Sequence, residues 1–457
     1  MGSPETRRSI PAERSNADHD GDSTSARIDG RDHTAGTVRF IPWGENEQSM
    51  NGNDRAIAGF TMTAHFMFHL YELAIPLFIV VWLDVFAVSP AVLGTVVGAG
   101  YGLIGVGALA SGHLADTYGS KRLVLLATLG MGGSFLLISL APTVWVLALA
   151  LVVWGATASL YHPAGLSLLT RGTRERGTAL AYHGAAGSVG TAVGPFAAAV
   201  LLTFFEWRLV AALFTLPMVV ALAIGYRFDF DETAAVDTAV NGGTEPPSLR
   251  GLLRDSRLLF VGGFTVAFAV MLLHGVYARG VFSFLPEILG RLPALAPVSL
   301  FGSSFEPSQY VYAGLLLAGA AGQYVGGKWS DRGSPELAIV VVYLVIVGLS
   351  LAFVPATNAG LVPLLVVCGL LGFATFMTAP IRQSLIATYA PADVHGLSFG
   401  YTYLGVFGFG AVGATLAGIS LTYADTRFFF GAFAVFAVLT SLLGGLLYLR
   451  WGRHRSA

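Results

Sequence analysis

From Ala56 to Arg450 the chain is a succession of apolar runs, most of them about 20 residues or longer, separated by short polar turns. That length is what a helix needs to cross roughly 30 Å of hydrocarbon. The runs fall near 56–83, 91–111, 122–141, 143–170, 178–204 and 208–227, then 257–286, 309–327, 336–355, 360–388, 397–422 and 428–450. Twelve membrane-spanning helices are expected, six in each half, making an all-α integral membrane fold. A mean hydropathy of +0.67 and only 12% charged residues exclude a soluble globule, since soluble chains carry about 25% charge. A β-barrel would show shorter segments that alternate in polarity.

The halves repeat. Gly112-His113-Leu114-Ala115-Asp116-Thr117-Tyr118-Gly119-Ser120-Lys121-Arg122 is a polar hairpin between the second and third runs. Gly326-Gly327-Lys328-Trp329-Ser330-Asp331-Arg332-Gly333 occupies the matching place in the second half. Gly59-Phe60-Thr61 returns as Gly263-Phe264-Thr265, Pro163 with Ser167-Leu168 as Pro380 with Ser384-Leu385, and Gly177 with Tyr182 as Gly396 with Tyr401. These pairs keep an offset of 204 to 219 residues and the same sense along the chain. That is a parallel six-plus-six repeat.

The polar remainder sets the boundaries. Residues 1–54 lack apolar periodicity and are read as a disordered tail, with Met50 as a second candidate start. Residues 55–228 form the N-terminal six-helix bundle, 229–256 a linker, 257–450 the C-terminal bundle, and 451–457 a short tail. One side of the membrane receives Lys121, Arg122, Arg171, Arg174, Arg176, Arg227, Arg250, Arg254, Arg257, Lys328, Arg332, Arg450, Arg453 and Arg455. The other receives Arg208, Arg291 and Arg427. By the positive-inside bias, both tails and the linker are cytoplasmic. The single cysteine, Cys368, lies within an apolar run and offers neither a disulfide nor a thiolate cluster.

Ionisable side chains inside spans cost about 2.5–3.5 kcal/mol each at the helix centre, so they are functional candidates. His65, His69 and Glu72 lie in the first run, His162 in the fourth, His183 in the fifth, His274 and Arg279 in the seventh, and Arg382 with Gln383 in the tenth. The interiors of runs three, six, nine and twelve carry no charge and no histidine. His65, His69 and Glu72 fall at i, i+4 and i+7, one stripe on one helix face. Two histidines and a carboxylate on a single helix make a weak metal signal, so no metal site is read. Proton handling fits better: Glu72 is the carboxylate deepest in a span, and histidine titrates near neutrality. A structural pairing of Glu72 with Arg279 across the halves is the competing reading. Arg279 and Arg382 together would suit an anionic substrate through bidentate guanidinium contacts. Gln323, Tyr71, Tyr277, Tyr401 and Tyr403 are possible hydrogen-bond partners, although packing is the commoner role of a tyrosine.

The first hairpin resembles the loop signature of the major facilitator superfamily, Gly-x-x-x-Asp-x-x-Gly-x-(Lys/Arg)-(Lys/Arg), on Gly112, Asp116, Gly119, Lys121 and Arg122. In the second copy Gly327, Asp331 and Arg332 keep the charged turn, but the next glycine, Gly333, comes early. Gly190, Gly194 and Pro195, preceded by Gly184 and Gly187, resemble the Gly-x-x-x-Gly-Pro antiporter motif of drug-efflux members, with Ala198-Ala199 where a glycine pair usually follows. Ser159 to Gly165 and His183 to Gly187 are similar to fosmidomycin-resistance-type members. The resemblance implies two rocking six-helix domains, a cavity lined by helices one, four, seven and ten, and hairpins that latch the cytoplasmic side. It also implies a functional monomer in the plasma membrane. The expected partners are the lipid bilayer, a small-molecule substrate and protons, with no nucleic acid. No ATP-binding loop, nucleophile–base motif or cofactor fingerprint occurs, so no cofactor and no enzyme activity are expected, and an ion gradient should supply the energy. The leading expectation is proton-coupled efflux of small organic molecules by alternating access. The alternative is proton-coupled uptake of an organic anion or other nutrient.

Overall fold

Twelve long helices run through residues 50–236, 249–300, 303–391 and 395–453, the part of the chain described by a computed structural model. They are α1 (Gly52–Val85), α2 (Pro90–Tyr118), α3 (Ser120–Ser139), α4 (Val144–Gly172), α5 (Arg176–Phe204) and α6 (Trp207–Arg227) in the first half. The second half holds α7 (Gly263–Gly290), α8 (Pro307–Ser330), α9 (Pro335–Ala359), α10 (Leu361–Tyr389), α11 (Leu397–Tyr423) and α12 (Thr426–Gly452). All but α8 are apolar enough to be recognised as spans by composition. The reason is the composition that the packed face of α8 requires. Gly322 and Gly326 press against the α10 backbone at Phe373 and Met377, and Gln323 hydrogen-bonds Ser188 of α5. The face turned to α10 and α5 is therefore built of glycine and polar residues, which lowers the mean hydropathy, while Leu317 and Tyr324 remain exposed on the opposite side.

Local signals start and stop these helices. Asn51 caps α1 by accepting from the Asp54 amide at 2.9 Å, and Asp425 caps α12 through the Phe428 amide at 2.7 Å. Ser89-Pro90 and Ser334-Pro335 open α2 and α9 with a capping hydroxyl followed by a proline in the first turn. Gly119, between α2 and α3, has φ +87°, a conformation that side chains rarely adopt. The second glycine of the hairpin motif is therefore required by backbone geometry. Gly112 and Gly327 are not: a Cβ at either would meet nothing within 4 Å among the described residues. Gly112 therefore serves no close approach of two helices in this structure.

Several boundaries differ from expectation. The first helix begins at Gly52, inside the expected tail, because Asn51 caps it; residues 1–49 lie outside the described residues, as do linker residues 237–248 and Arg455. A short helix, Leu249–Leu259, occupies the end of the linker, and α7 starts only at Gly263, after a break at Gly262 with φ +64°. A two-stranded antiparallel ribbon, β1 (Val298–Leu300) and β2 (Ser303–Phe305), lies between α7 and α8 and is the one departure from all-α structure among the described residues.

Among the described residues, three helix pairs make close contacts between the halves. On α2, Gly94 and Gly105 leave no room for a Cβ against Ala414 and Gly408 of α11, and a Cβ at Gly98 would crowd Ala411. Between α5 and α8, Ser188 pairs with Gln323, and the Thr203 and Tyr310 hydroxyls lie 3.0 Å apart. Between α1 and α7 stands the ion pair described below. Small residues and polar pairs are the expected glue in lipid, where apolar contact alone gives little drive to associate. Helices α3, α6, α9 and α12 turn large apolar side chains outward, among them Leu129, Val220, Leu344 and Leu442.

Candidate functional site

Glu72 sits in the middle of α1 and is 1% exposed. Four residues on, Pro76 has no amide hydrogen, so the Glu72 carbonyl lacks its usual helical donor. The Tyr101 hydroxyl of α2 supplies one at 2.9 Å. The side chain is held from two sides. Oε1 accepts from the Arg279 guanidinium of α7, and Oε2 lies 2.7 Å from Nδ1 of His69. Arg279 in turn lies over the rings of Tyr101 and Phe407, 4.5 and 4.6 Å from their centroids, a cation–π placement that suits a poorly hydrated cation. A π-helical turn, Leu404–Phe409, brings Phe407 of α11 to that position.

The stripe continues down α1. Nε2 of His69 lies 3.1 Å from Nε2 of His65, and Nδ1 of His65 lies 2.8 Å from the His183 carbonyl oxygen. The His183 ring stacks on His65 with centroids 3.9 Å apart and planes at 9°. Tyr161 of α4 donates to the Thr61 carbonyl at 2.9 Å, and its ring lies 5.8 Å from the His65 ring. His162 packs edge-on against Phe68 at 4.2 Å and lies 4.6 Å from the Tyr403 ring, with its Nδ1 buried and without a hydrogen-bond partner among the described residues.

Why these rings meet is written in α5. A Cβ at Gly187 would collide with the His65 ring, and one at Gly190 or Gly194 would collide with the carbonyls of Phe66 or Leu70. The glycine motif thus brings α5 onto the α1 backbone and leaves the space His65 fills.

Other sequence candidates stand apart. His274 bonds the Tyr343 hydroxyl of α9 at 2.7 Å. Arg382 donates from Nε to the Thr378 hydroxyl at 3.2 Å and points an NH1 at the Met271 sulfur. Arg279 and Arg382 therefore do not act as one anion fork, because Glu72 already neutralises the first. Gln383 is exposed. Tyr71 and Tyr277 bond Phe214 and Ser350 inside their own halves, and Tyr401 bonds Ser256.

At the hairpin, Asp116 pairs with Arg171 at 2.6 Å, a contact within the first half and largely exposed. Glu232 of the linker accepts from the Ser120 and Lys121 amides at 2.7 and 3.2 Å, capping α3, and Lys121 donates to the Phe228 carbonyl. Arg122 is exposed; so are Asp331, which caps the end of α8, and Arg332. None of these hairpin contacts crosses between the halves.

Sequence reasoning did not single out Tyr101 or Phe407. Pro76, four residues after Glu72, was the available signal for Tyr101; Phe407 left none, because its place depends on the π-helical turn. The donor nitrogens of His65, His69 and His162 lie within 4.8 Å of one another. Nitrogens on one tetrahedral ion, with bonds of about 2.1 Å, stand about 3.4 Å apart. The present arrangement is looser than that.

Two six-helix halves joined across a buried line of ionisable side chains define a membrane transporter. The sequence model of the Major Facilitator Superfamily matches residues 55–415, and the chain belongs to that superfamily. It is 26% identical over 374 residues to the Na(+), Li(+), K(+)/H(+) antiporter of Planococcus maritimus, covering 76% of this chain and 84% of that one. It is 29% identical over 394 residues to the 4-hydroxybenzoate transporter PcaK of Pseudomonas aeruginosa, covering 79% and 85%. The crystal structure of the nucleoside transporter NupG superposes with a TM-score of 0.69 at 13% identity, over 86% of this chain and all of that one, which shows the shared fold. The protein is a multi-pass membrane transporter and not an enzyme.

Proposed function

We propose that the protein is a proton-coupled exporter of small organic molecules, acting as a monomer in the plasma membrane with both termini cytoplasmic. The observation that carries this reading is the double engagement of Glu72, with Arg279 in the opposite half and with His69 in its own. When the halves part, Glu72 loses Arg279, and an unpaired carboxylate at that depth costs several kcal/mol. Taking up a proton removes most of that cost, and re-forming the pair expels the proton. Proton movement then follows from the motion that opens the path. The likeness to a cation/proton antiporter and the glycine motif of α5 support exchange as the direction.

The test is proton flux in proteoliposomes that enclose a pH dye, with candidate drugs and organic acids added in turn. A compound that enters and drives protons out in wild type, and fails to do so in Glu72→Gln, upholds the reading. Flux that survives the substitution removes Glu72 from the coupling role.

Arg382 favours a second reading. Among the described residues it has no carboxylate partner, so its charge is available to an anion. The likeness to a 4-hydroxybenzoate transporter points the same way. In the same assay, uptake of an organic anion would carry protons inward with the acid.

A further inference from the structure

The hydrogen bonds along α1 fix a proton count. Nδ1 of His65 lies 2.8 Å from the His183 carbonyl oxygen, which can only accept, so that nitrogen carries a hydrogen. The 2.7 Å contact between Nδ1 of His69 and Oε2 of Glu72 needs a second, on the ring or on the carboxyl. The two Nε2 atoms face each other at 3.1 Å, where two bare lone pairs would repel, so a third hydrogen lies between them. Two neutral imidazoles account for two of the three. One proton is extra.

Its place follows from the other side of Glu72. Arg279 holds Oε1, and the Tyr101 hydroxyl is spent on the Glu72 backbone carbonyl. Negative charge is best kept on the carboxylate that faces a fixed guanidinium, which assigns the second hydrogen to Nδ1 of His69. From α4 and α5 the pair is faced by the rings of Tyr161, His162 and His183, and beyond His162 by Tyr403 of α11. Tyr161 already donates to the Thr61 carbonyl. Among the described residues, then, the carboxylate bonded to this pair is Glu72 alone. We infer that His65 and His69 hold one shared proton between their Nε2 atoms, as an imidazole–imidazolium pair that is the resident proton site while the Glu72–Arg279 contact is closed. A separation of 3.1 Å is an ordinary N–H···N distance. The third nitrogen, on His162, stands too loosely for the same line to be read as a metal centre.

This inference rests on the proton-coupled reading for its consequence in transport: Glu72 would sense the seam between the halves, and the histidine pair would store the proton and hand it over. The experiment is nitrogen NMR of full-length protein labelled with ¹⁵N-histidine, in lipid nanodiscs at neutral pH, for wild type, His65→Gln, His69→Gln and Glu72→Gln. An imidazolium or shared-proton signal is expected in wild type, lost in both histidine variants, and lost or weakened in Glu72→Gln, which strands the Arg279 charge beside the pair and leaves one amide oxygen for two donors. If His65→Gln fails to fold, the wild-type spectrum with His69→Gln decides. Absence of the signal in wild type, or its full retention in Glu72→Gln or in either histidine variant, overturns the inference by placing the proton on the carboxyl or on another residue. So does one equivalent of Co²⁺ per chain that binds wild type with a tetrahedral absorption spectrum and fails to bind His65→Gln. A missing signal alongside Glu72-dependent flux overturns only this inference; a present signal alongside flux that ignores Glu72→Gln upholds it and overturns only the coupling role of Glu72.

Discussion

Glu72 and Arg279 stand 207 positions apart in the chain and share one ion pair across the seam between α1 and α7. Their side chains are 2% and 13% exposed, so neither charge is well served by water. A buried pair of this kind is weak evidence for stability but strong evidence of dependence, because removing one partner strands the other. Arg279→Gln should therefore destabilise the protein by about 3–5 kcal/mol, and Glu72→Gln with Arg279→Gln by clearly less than the sum of the two single changes. Thermal unfolding of the four proteins in detergent gives the coupling directly. Additive effects would mean the pair is not formed.

The missing amide of Pro76 and the hydroxyl of Tyr101 make a second pair. Tyr101→Phe leaves the Glu72 carbonyl buried without a donor, which should cost about 1–3 kcal/mol, while the cation–π face under Arg279 remains. Pro76→Ala restores a backbone donor to that carbonyl. The same Tyr101→Phe change made in a Pro76→Ala background should then cost little, as read by the shift in midpoint temperature.

Two glycines of α5 offer a matched comparison. Gly184 has open space where a Cβ would go, and Gly187 has the His65 ring there. Gly184→Ala should be neutral or slightly stabilising, and Gly187→Ala should cost about 1–3 kcal/mol by overpacking. The histidine NMR spectrum should shift in the second variant only.

The linker does more than connect. Glu232 caps α3, Asn53 donates to the carbonyls of Gly172 and Asp231, and Lys121 donates to Phe228, so residues 228–232 are strapped to the first half. Glu232→Ala removes a carboxylate from a helix N-terminus and should cost about 1 kcal/mol. Limited proteolysis should cut near this stretch faster in the variant than in wild type.

Arg382 gives the anion reading its own check. On that reading 4-hydroxybenzoate raises the unfolding temperature of wild type and leaves Arg382→Gln unmoved. Equal shifts in both proteins would exclude Arg382 as the anion contact.

The sequence by itself determined the twelve spans, the parallel repeat and the helices that carry ionisable groups. Each of these rests on a local property: run length against bilayer thickness, the order of motifs, and the cost of charge in hydrocarbon. It also placed His65, His69 and Glu72 on one stripe, because a helix repeats every 3.6 residues. It could not say whether Glu72 faces Arg279 or Arg382, nor that Arg382 is left to a hydroxyl and a sulfur, because the relative rotation of α1, α7 and α10 is set by packing between helices. The glycines of α5 resemble an antiporter signature, but only the structure shows which atoms they admit: the His65 ring and the carbonyls of Phe66 and Leu70. Phe407 lay outside any pattern. Its position over Arg279 comes from a π-helical turn in α11 that packs against α2 and α7, a contact between chain segments roughly 300 and 130 residues apart. Tertiary structure decided which buried charges meet, since each meeting depends on close contacts that no single segment specifies.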